Sequence, residues 1–400
     1  MRLLFIADGR SPTANNWMSF FIEAGHEVHL ISTSPFESGL KFHSQAIIPV
    51  AFSSSVVGKE RKKTPGGLKL RSRIRDWLGP FTVASAGRKV SDRIETIAPD
   101  LVHAMRIPFE GMIGAAANPL MPFAVSVWGN DFTLHAAASP WMKNLTRRTL
   151  HAANALHVDC LRDMKLARQW GFPDEREIVV LPGGGGVKED VFHPGEISEN
   201  FLTAKSGTPL EKLPANAALI VNPRGFRAYV RNDVFFKSIP PVLEKMPDTF
   251  FVCPSMENDS RAEEWIMRLG IEESVFLLPQ LTPQQMGLLF RQAMVAVSPT
   301  EHDGTPNTLL EAMASGCFPI AGDLESIREW IENGVNGLLV NVAEPGELAE
   351  AILRALSDPD LRSAAALKNE TLIEEQARYA DVMREAQAFY SRIISHRPIQ

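Results

Sequence analysis

The sequence predicts an α/β protein of two successive domains, each built on a parallel sheet. Short apolar runs alternate with longer helical patterns along the chain, which is the signature of repeated βαβ units. The alternation breaks at a glycine run and a polar stretch, then restarts. At roughly 100–200 residues per domain, 400 residues suit two, each long enough to bury its own core.

The first apolar run, Leu3–Ala7, is too short for a signal-peptide core or a membrane span and reads as a buried strand. A polar turn follows, then a helical pattern through Trp17, Phe20, Phe21 and Ala24, and Gly25-His26-Glu27 leads into a strand at Val28–Ile31. Further strands are expected at Ala46–Val50, Leu101–Ala104, Phe123–Val127, Ala155–Val158 and Ile178–Leu181, and Gly183–Gly186 closes the series. From Pro194 to about Asn216 the composition is that of an interdomain linker. The second series is Ala218–Asn222, Phe250–Cys253, Val275–Leu277, Val295–Ser298, Phe318–Ala321 and Gly337–Val340. A last helix carries Tyr379, Val382, Met383, Ala386, Phe389, Tyr390 and Ile393 at three- and four-residue steps, a stripe that needs a surface to pack on. The domains are therefore drawn at 1–194 and 195–376, with the helix of 377–400 a candidate to return to the first.

Composition narrows the function. The chain is 45% hydrophobic and 22% charged, as soluble globular proteins are. A net charge of −6 gives no global positive field, so no nucleic-acid partner is expected. Cys160, Cys253 and Cys317 lie far apart, with neither metal-ligand spacing nor a disulfide framework, which points to a reducing cytoplasm. No Gly-x-Gly-x-x-Gly joins a strand to a helix, and the run at 183–186 leads into Val-Lys-Glu-Asp without a helical pattern. That counts against a nicotinamide enzyme.

The most informative stretch runs from Ser298 to Gly316. A strand delivers a polar loop holding Asp303, and Asn307 or Thr308 can cap the helix behind it. Amides at such a helix start favour a diphosphate. Glu311, eight residues after Asp303 and about one turn into the helix, can accept bonds from ribose hydroxyls. On residue chemistry alone, an acidic loop before an amphipathic helix with a solvated Glu311 explains the stretch equally well.

This stretch, followed by Phe318-Pro319-Ile320, Ile327-Arg328-Glu329-Trp330-Ile331 and Asn333-Gly334-Val335-Asn336-Gly337, closely resembles glycosyltransferase family 4. Gly25-His26-Glu27-Val28, Pro99-Asp100-Leu101-Val102-His103 and Leu181–Val187 through Phe192-His193-Pro194 extend the resemblance over essentially the whole chain. It implies the GT-B fold: two Rossmann-like α/β domains facing each other across a cleft, acceptor on the first and nucleotide-sugar donor on the second. It also implies retaining chemistry, in which the leaving diphosphate takes the acceptor's proton. The family's Glu-x7-Glu pair falls on Asp303 and Glu311, with Asp replacing the first Glu and shortening its reach by one methylene. By the resemblance Glu311 holds the ribose, Asp303 approaches the transferred sugar, and amides of Gly304, Thr305, Pro306, Asn307 and Thr308 serve sugar or phosphate. Neither cofactor nor metal is expected.

The resemblance assigns further positions. Arg224, in Val221-Asn222-Pro223-Arg224, matches a diphosphate-binding arginine, suited by its fixed, always-charged fork. The usual lysine partner is missing, and Arg231 or Arg227 stands in for it. His103 is a strand-end candidate for the catalytic group near the sugar, although the family's usual second histidine is here Met105. Asp131, in Trp128-Gly129-Asn130-Asp131, either binds acceptor or caps a helix. Gly9 opens the first βα turn and permits close approach of a ligand.

Between Lys59 and Arg75 stand eight basic residues and one acidic one, among them Lys62, Lys63, Arg71, Arg73 and Arg75. This +7 against the chain's −6 leaves −13 for the rest. Leu70, Ile74, Trp77, Leu78 and Phe81 follow at helical spacing. Such a basic amphipathic segment reads as an element lying on an anionic membrane surface, or as a solvated face whose stripe is core. The expected protein is thus cytoplasmic, peripheral on the inner membrane face, and takes a lipid-linked or growing glycan of surface polysaccharide or glycoconjugate synthesis as acceptor. The competing readings are a GT-B sugar-nucleotide epimerase or phosphorylase, and a non-catalytic nucleotide-sugar-binding scaffold at the membrane.

Overall fold

The structure, a computed structural model, describes residues 1–53, 74–195 and 217–395. The linker at 196–216, the basic positions Lys62, Lys63, Arg71 and Arg73, and Leu70 of the apolar stripe lie outside these residues. The described chain divides into two compact units. One contains 1–53, 74–186 and 379–395; the other contains 187–195 and 217–378. The division falls at Gly186–Val187, ahead of the boundary drawn at 194–195 from composition. The chain's two passages at the second unit's edge are tied: Val187 N donates to Ala377 O at 2.7 Å.

The first unit holds β1 (Arg2–Ala7), β2 (Glu27–Ser32), β3 (Ser44–Ile47), β4 (Leu101–Ala104), β5 (Phe123–Val127), β6 (Ala155–Val158) and β7 (Ile178–Val180). They pair in parallel in the order β3-β2-β1-β4-β5-β6-β7. The central strands are buried on both faces and are therefore largely apolar, whereas β3 at the sheet edge is mostly exposed. Alternate residues of one strand feed two cores: Leu4 and Ile6 pack on one face, Leu3, Phe5 and Ala7 on the other. Helices α1 (Pro12–Glu23), α2 (Val83–Ile97), α3 (Met112–Ala117), α4 (Pro140–Ala152) and α5 (Leu161–Gln169) cover the sheet.

The second unit holds β8 (Ala218–Val221), β9 (Thr249–Pro254), β10 (Val275–Leu278), β11 (Val295–Ser298), β12 (Phe318–Gly322) and β13 (Leu338–Val340), all parallel, in the order β10-β9-β8-β11-β12-β13. Its helices are α6 (Asn232–Lys245), α7 (Ser260–Leu269), α8 (Pro283–Gln292), α9 (Asn307–Ala314), α10 (Pro345–Ser357) and α11 (Pro359–Gln376). All thirteen strands among the described residues match runs anticipated from apolar pattern, four of them at both ends and the others with ends shifted by at most three residues.

The last helix, α12 (Tyr379–Ser395), belongs to the first unit. Its stripe of Met383, Ala386, Phe389, Tyr390 and Ile393 packs with Leu3, Phe5, Trp17 and Phe21. Burying a Phe- or Tyr-sized side chain contributes roughly 1.5–3 kcal/mol, so the stripe is the main force docking α12. The glycine run fits under it. Gly185 and Gly186 have φ of 84° and 90°, and a Cβ on Gly185 would meet Met383 Sδ at 2.6 Å.

A buried polar chain fixes the register of this dock. Leu181 O can only accept, so His157 carries its proton on Nε2 and donates at 2.9 Å. Its Nδ1 then accepts from Ser126 Oγ at 2.9 Å, and Ser126 in turn accepts from His103 Nε2 at 2.9 Å. That leaves His103 Nδ1 to accept from the Tyr390 hydroxyl, which accepts from Trp17 Nε1 at 2.9 Å. Both histidines are therefore neutral, in keeping with burial that lowers His157 to about 4 and His103 well below its usual range.

Candidate functional site

In an open parallel sheet, ligands bind beyond the strand C-termini where the strand order reverses. In the second unit that point lies between β8 and β11, and the loops leaving these strands carry Arg224 and Asp303. An asparagine clamp shapes the first loop. Asn222 Oδ1 accepts from Arg224 N at 3.2 Å, Asn222 Nδ2 donates to Asn232 Oδ1, and Asn232 Nδ2 donates to Gly225 O at 2.9 Å. Gly225 has a φ of 61°, a turn that favours glycine. The two loops are zipped together, Arg231 N donating to Pro299 O and Glu301 N to Tyr229 O. Arg224 is thereby delivered to the start of α9, where Nη2 donates to Asp303 Oδ2 at 2.5 Å and Nη1 to Thr308 Oγ1 at 3.3 Å.

The acidic loop is held from behind. Ser326 Oγ donates to Asp303 O at 2.7 Å, and Trp330 Nε1 donates to Thr305 Oγ1 at 3.0 Å. Gly304, Thr305 and Pro306 are buried, with Asn307 and Thr308 partly exposed. Neither Asn307 nor Thr308 caps the helix, contrary to the expectation from residue type. Pro306 is the capping residue, with extended φ and ψ, and no side chain caps it. Proline's fixed φ sets the entry angle, and its ring offers the first turn no acceptor.

Glu311 lies on α9, partly exposed, and no hydrogen bond or ion pair to its carboxylate occurs among the described residues. Burial raises its pKa to about 7 against the pull of the Arg224 charge. A carboxylate in that setting lacks the hydrogen-bond donors that burial calls for. Of the two stand-ins for the second phosphate contact, Arg231 is already committed. It bonds both Asp233 oxygens at 2.8 and 2.9 Å and Glu301 at 2.9 Å. Arg227 makes only a 3.1 Å bond to the Tyr229 hydroxyl and lies within electrostatic reach of Asp303.

The first-unit candidates are placed differently. His103 is in the core with both nitrogens bonded to Tyr390 and Ser126, so its assignment as a catalytic group is corrected to a structural one. Asp131 is buried as well. It accepts from Arg106 Nη2 at 2.6 Å, Ile107 N at 3.0 Å and Trp128 N at 3.3 Å, tying the loop after β4 to the loop after β5. Of its two sequence readings, the structural one describes these contacts. Gly9 needs its bare α-carbon because a Cβ would strike the Phe36 ring at 2.4 Å; its N–H is bonded to Ser32 Oγ at 3.0 Å. Packing accounts for this glycine without a ligand.

Sequence reasoning missed Glu110, which lies at the equivalent sheet position of the first unit. It is buried, with Oε1 accepting from Thr33 Oγ1 at 2.9 Å. Nothing in its surroundings by sequence signals that burial. Two acid groupings suggest metal ligands by spacing. Asp159, Cys160 and Asp163 bring donor atoms within 4.8 Å, but Arg162 already neutralises Asp163 at 2.8 Å and burial keeps the Cys160 thiol protonated. In Asp358-Pro359-Asp360, Asp358 is spent capping α11 through Leu361 N at 2.9 Å.

Comparison with known proteins gives two family matches. Residues 9–184 match the family described as "Glycosyl transferase 4-like domain", and residues 224–358 match "Glycosyl transferases group 1". The chain belongs to the GT-B glycosyltransferases, family-4 type. Within this family it is 28% identical over 215 residues to a D-inositol 3-phosphate glycosyltransferase of Corynebacterium urealyticum, covering 51% of this chain and 48% of that protein. It is 30% identical over 217 residues to one of Geodermatophilus obscurus, 51% of this chain and 46% of that protein. The matched stretch thus spans about half the length of these curated relatives. Among solved structures, sucrose-phosphate synthase from Thermosynechococcus elongatus aligns at a TM-score of 0.73 and 14% identity, covering 99% and 100% of the two chains. Anabaena HepE in complex with UDP aligns at 0.71 and 14%, covering 98% and 100%. The family-4 resemblance read from the motifs holds, and Arg224, Asp303 and Glu311 all fall inside the group 1 match of this GT-B chain.

Proposed function

We propose that this GT-B protein transfers a sugar from a nucleotide-sugar donor with retention of configuration, the donor lying on the second unit. The observation that carries the reading is the grouping at α9. A guanidinium and a helix start whose capping residue is a proline suit a diphosphate, and the carboxylate of Glu311 one turn on suits a ribose. Arg224 stabilises the charge that builds on the leaving diphosphate, and Arg227, the less committed of the two arginines, is the second phosphate contact. Asp303 turns to the transferred sugar. That HepE was solved with UDP supports a uridine nucleotide as the first to try. The reaction needs no metal in this reading, because Arg224 and the helix-start amides supply the positive charge.

The acceptor is a lipid-linked or growing glycan presented at an anionic membrane surface. Supporting this, Ile74, Trp77, Leu78 and Phe81 are exposed rather than packed as core, with Phe81 at 63%. Trp141 on α4 joins the patch, its ring 5.3 Å from that of Phe81. Contiguous exposed aromatic surface beside basic residues marks an interaction face. Among the described residues no helix is long and apolar enough to cross a membrane.

A thermal-shift screen of UDP-, GDP-, ADP- and dTDP-sugars identifies the donor, followed by mass spectrometry of products with glycolipid acceptors. The expected result is stabilisation by one nucleotide-sugar and sugar transfer that Arg224→Gln abolishes. Turnover to an epimerised nucleotide-sugar, phosphate-dependent cleavage, or binding without any turnover would each overturn the transferase reading.

A further inference from the structure

The loop before α9 is held at two points that together aim one amide. Ser326 Oγ donates to Asp303 O at 2.7 Å, and Trp330 Nε1 donates to Thr305 Oγ1 at 3.0 Å. The carbonyl of Asp303 and the N–H of Gly304 share one peptide plane, and the peptide is trans. In a trans plane the N–H points opposite to the C=O. With the carbonyl turned to Ser326, the Gly304 N–H is turned to the loop's other side, and the bond from Trp330 to the next residue opposes rotation of the plane. Gly304 carries no Cβ, so a ligand oxygen can approach that N–H closely.

Trp330 is itself anchored. Its carbonyl accepts from Asn336 Nδ2 at 2.9 Å, and Asn336 Oδ1 accepts from Glu332 N at 2.7 Å. Asn336 and Asn369 exchange two more bonds, Asn336 Nδ2 to Asn369 Oδ1 at 2.8 Å and Asn369 Nδ2 to Asn336 O at 3.0 Å. Trp330, Thr305, Ser326, Asn336 and Asn369 are all buried. A polar relay thus runs from α11, which carries Asn369, to the loop. An apolar ring would fill the place of the indole, but only the indole's N–H fixes a direction at Thr305.

Glu311 lies one turn into α9 and Gly304 before its start, so a nucleotide whose ribose sits at Glu311 extends its distal phosphate toward Gly304. We propose that Trp330 is a positioning residue of the donor site, holding the Gly304 amide toward the phosphate distal to the ribose. This rests on the reading of α9 as the place where the donor binds.

Titration calorimetry compares UDP with UMP, or GDP with GMP if the wild type takes guanine nucleotides. Trp330→Phe should weaken the diphosphate about tenfold and the monophosphate by less than about twofold, because the monophosphate has no distal phosphate. Thr305→Val, which removes the acceptor, should do the same, and Thr305→Ser, which keeps it, should not. In the double variant Trp330→Phe/Thr305→Val the loss should be no greater than in Trp330→Phe or Thr305→Val alone, since both remove the same bond. A role in packing alone would loosen α9 and Glu311 with it, weakening both nucleotides alike, and that outcome overturns the proposal. Unchanged diphosphate affinity in Trp330→Phe overturns it as well, as do additive losses in the double variant. Wild type that binds none of the four nucleotides would remove the donor-site reading itself, a separate result. If circular dichroism shows that Trp330→Phe does not fold, Thr305→Val set against Thr305→Ser makes the same comparison.

Discussion

Asp303 and Glu311 are two acids eight residues apart, and the fold treats them oppositely. Asp303 spends its charge on Arg224, whereas Glu311 has no donor and is pushed up to about 7 by burial. Ribose hydroxyls persist in a free nucleotide and sugar hydroxyls do not. Glu311→Ala should therefore weaken binding of the free nucleoside diphosphate by about tenfold or more, the scale of a charge-assisted hydrogen bond, while Asp303→Ala should not weaken it. Titration calorimetry of both variants reads this, and wild-type affinity in Glu311→Ala would remove the ribose assignment. The pH dependence has a definite sign. Hydroxyls that donate to Glu311 favour its ionised form, so affinity should rise between pH 6 and pH 8 more steeply in wild type than in Glu311→Gln. Stability runs the other way. The folded value of about 7 lies above the ordinary 4.5, so the folded state binds the extra proton between them. Glu311 therefore costs stability progressively as pH climbs through that window, a slope that Glu311→Gln should lack in thermal unfolding.

At the scale of the element, α12 is held by shape and by a single polar chain. Tyr390→Phe keeps the ring in its stack on Phe21, 4.7 Å away, but orphans Trp17 Nε1 and His103 Nδ1. With a desolvation cost of about 1–3 kcal/mol for each of the two buried groups left unmade, the variant should lose roughly 2–6 kcal/mol. A fall in the urea midpoint of the first unit measures it, and an unchanged midpoint would mean that water enters to replace the hydroxyl. Acid should act at the same place. His103 and His157 have folded values below the ordinary 6.5, so the unfolded chain takes up protons first as pH falls. The chain's contribution is complete above about 6.5 and is lost as pH drops toward 4. The loop before α9 obeys the same logic of satisfied polar groups: Thr305 and the Asp303 carbonyl are bonded from Trp330 and Ser326, whereas the Glu311 carboxylate on the next helix turn is not.

For the whole molecule, two parallel sheets with the same reversal of strand order place loops of the same rank, after the first and fourth strands of each unit, at the two switch points. The second carries the grouping of Arg224, Asp303 and Glu311, and the first carries the buried Glu110. Two further outcomes belong to the intact enzyme. Proton NMR of the product should show an anomeric signal with the donor's α configuration, and inversion would remove the proposed mechanism. Wild type should sediment with anionic vesicles at low salt and be released as the Debye length falls from ~10 Å at 0.1 M toward ~3 Å at 1 M. Changing Trp77 and Phe81 to Ser, or Arg71, Arg73 and Arg75 to Glu, should abolish sedimentation while nucleotide binding stays intact. Failure of wild type to sediment would assign the patch to another partner.

The sequence by itself determined the thirteen strands of the described residues, the two-fold repetition of the α/β pattern, the place of Arg224 at a strand end and that of Asp303 and Glu311 within one motif. Apolar runs and motif spacing are local properties, and a strand buried on both faces announces itself by having no polar alternation. It also gave α12 a stripe in need of a surface. Only the tertiary structure decided what each polar group meets. His103 reads as a strand-end histidine until Tyr390, 287 residues later, takes its Nδ1. Asp131 reads as available until the amides of Ile107 and Trp128 converge on it. Arg231 and Arg227 were interchangeable as residues, and Asp233 and Glu301 separated them. Whether a titratable group is free for a ligand depends on partners brought from other strands and helices, and that information resides in the packing rather than in the neighbours along the chain.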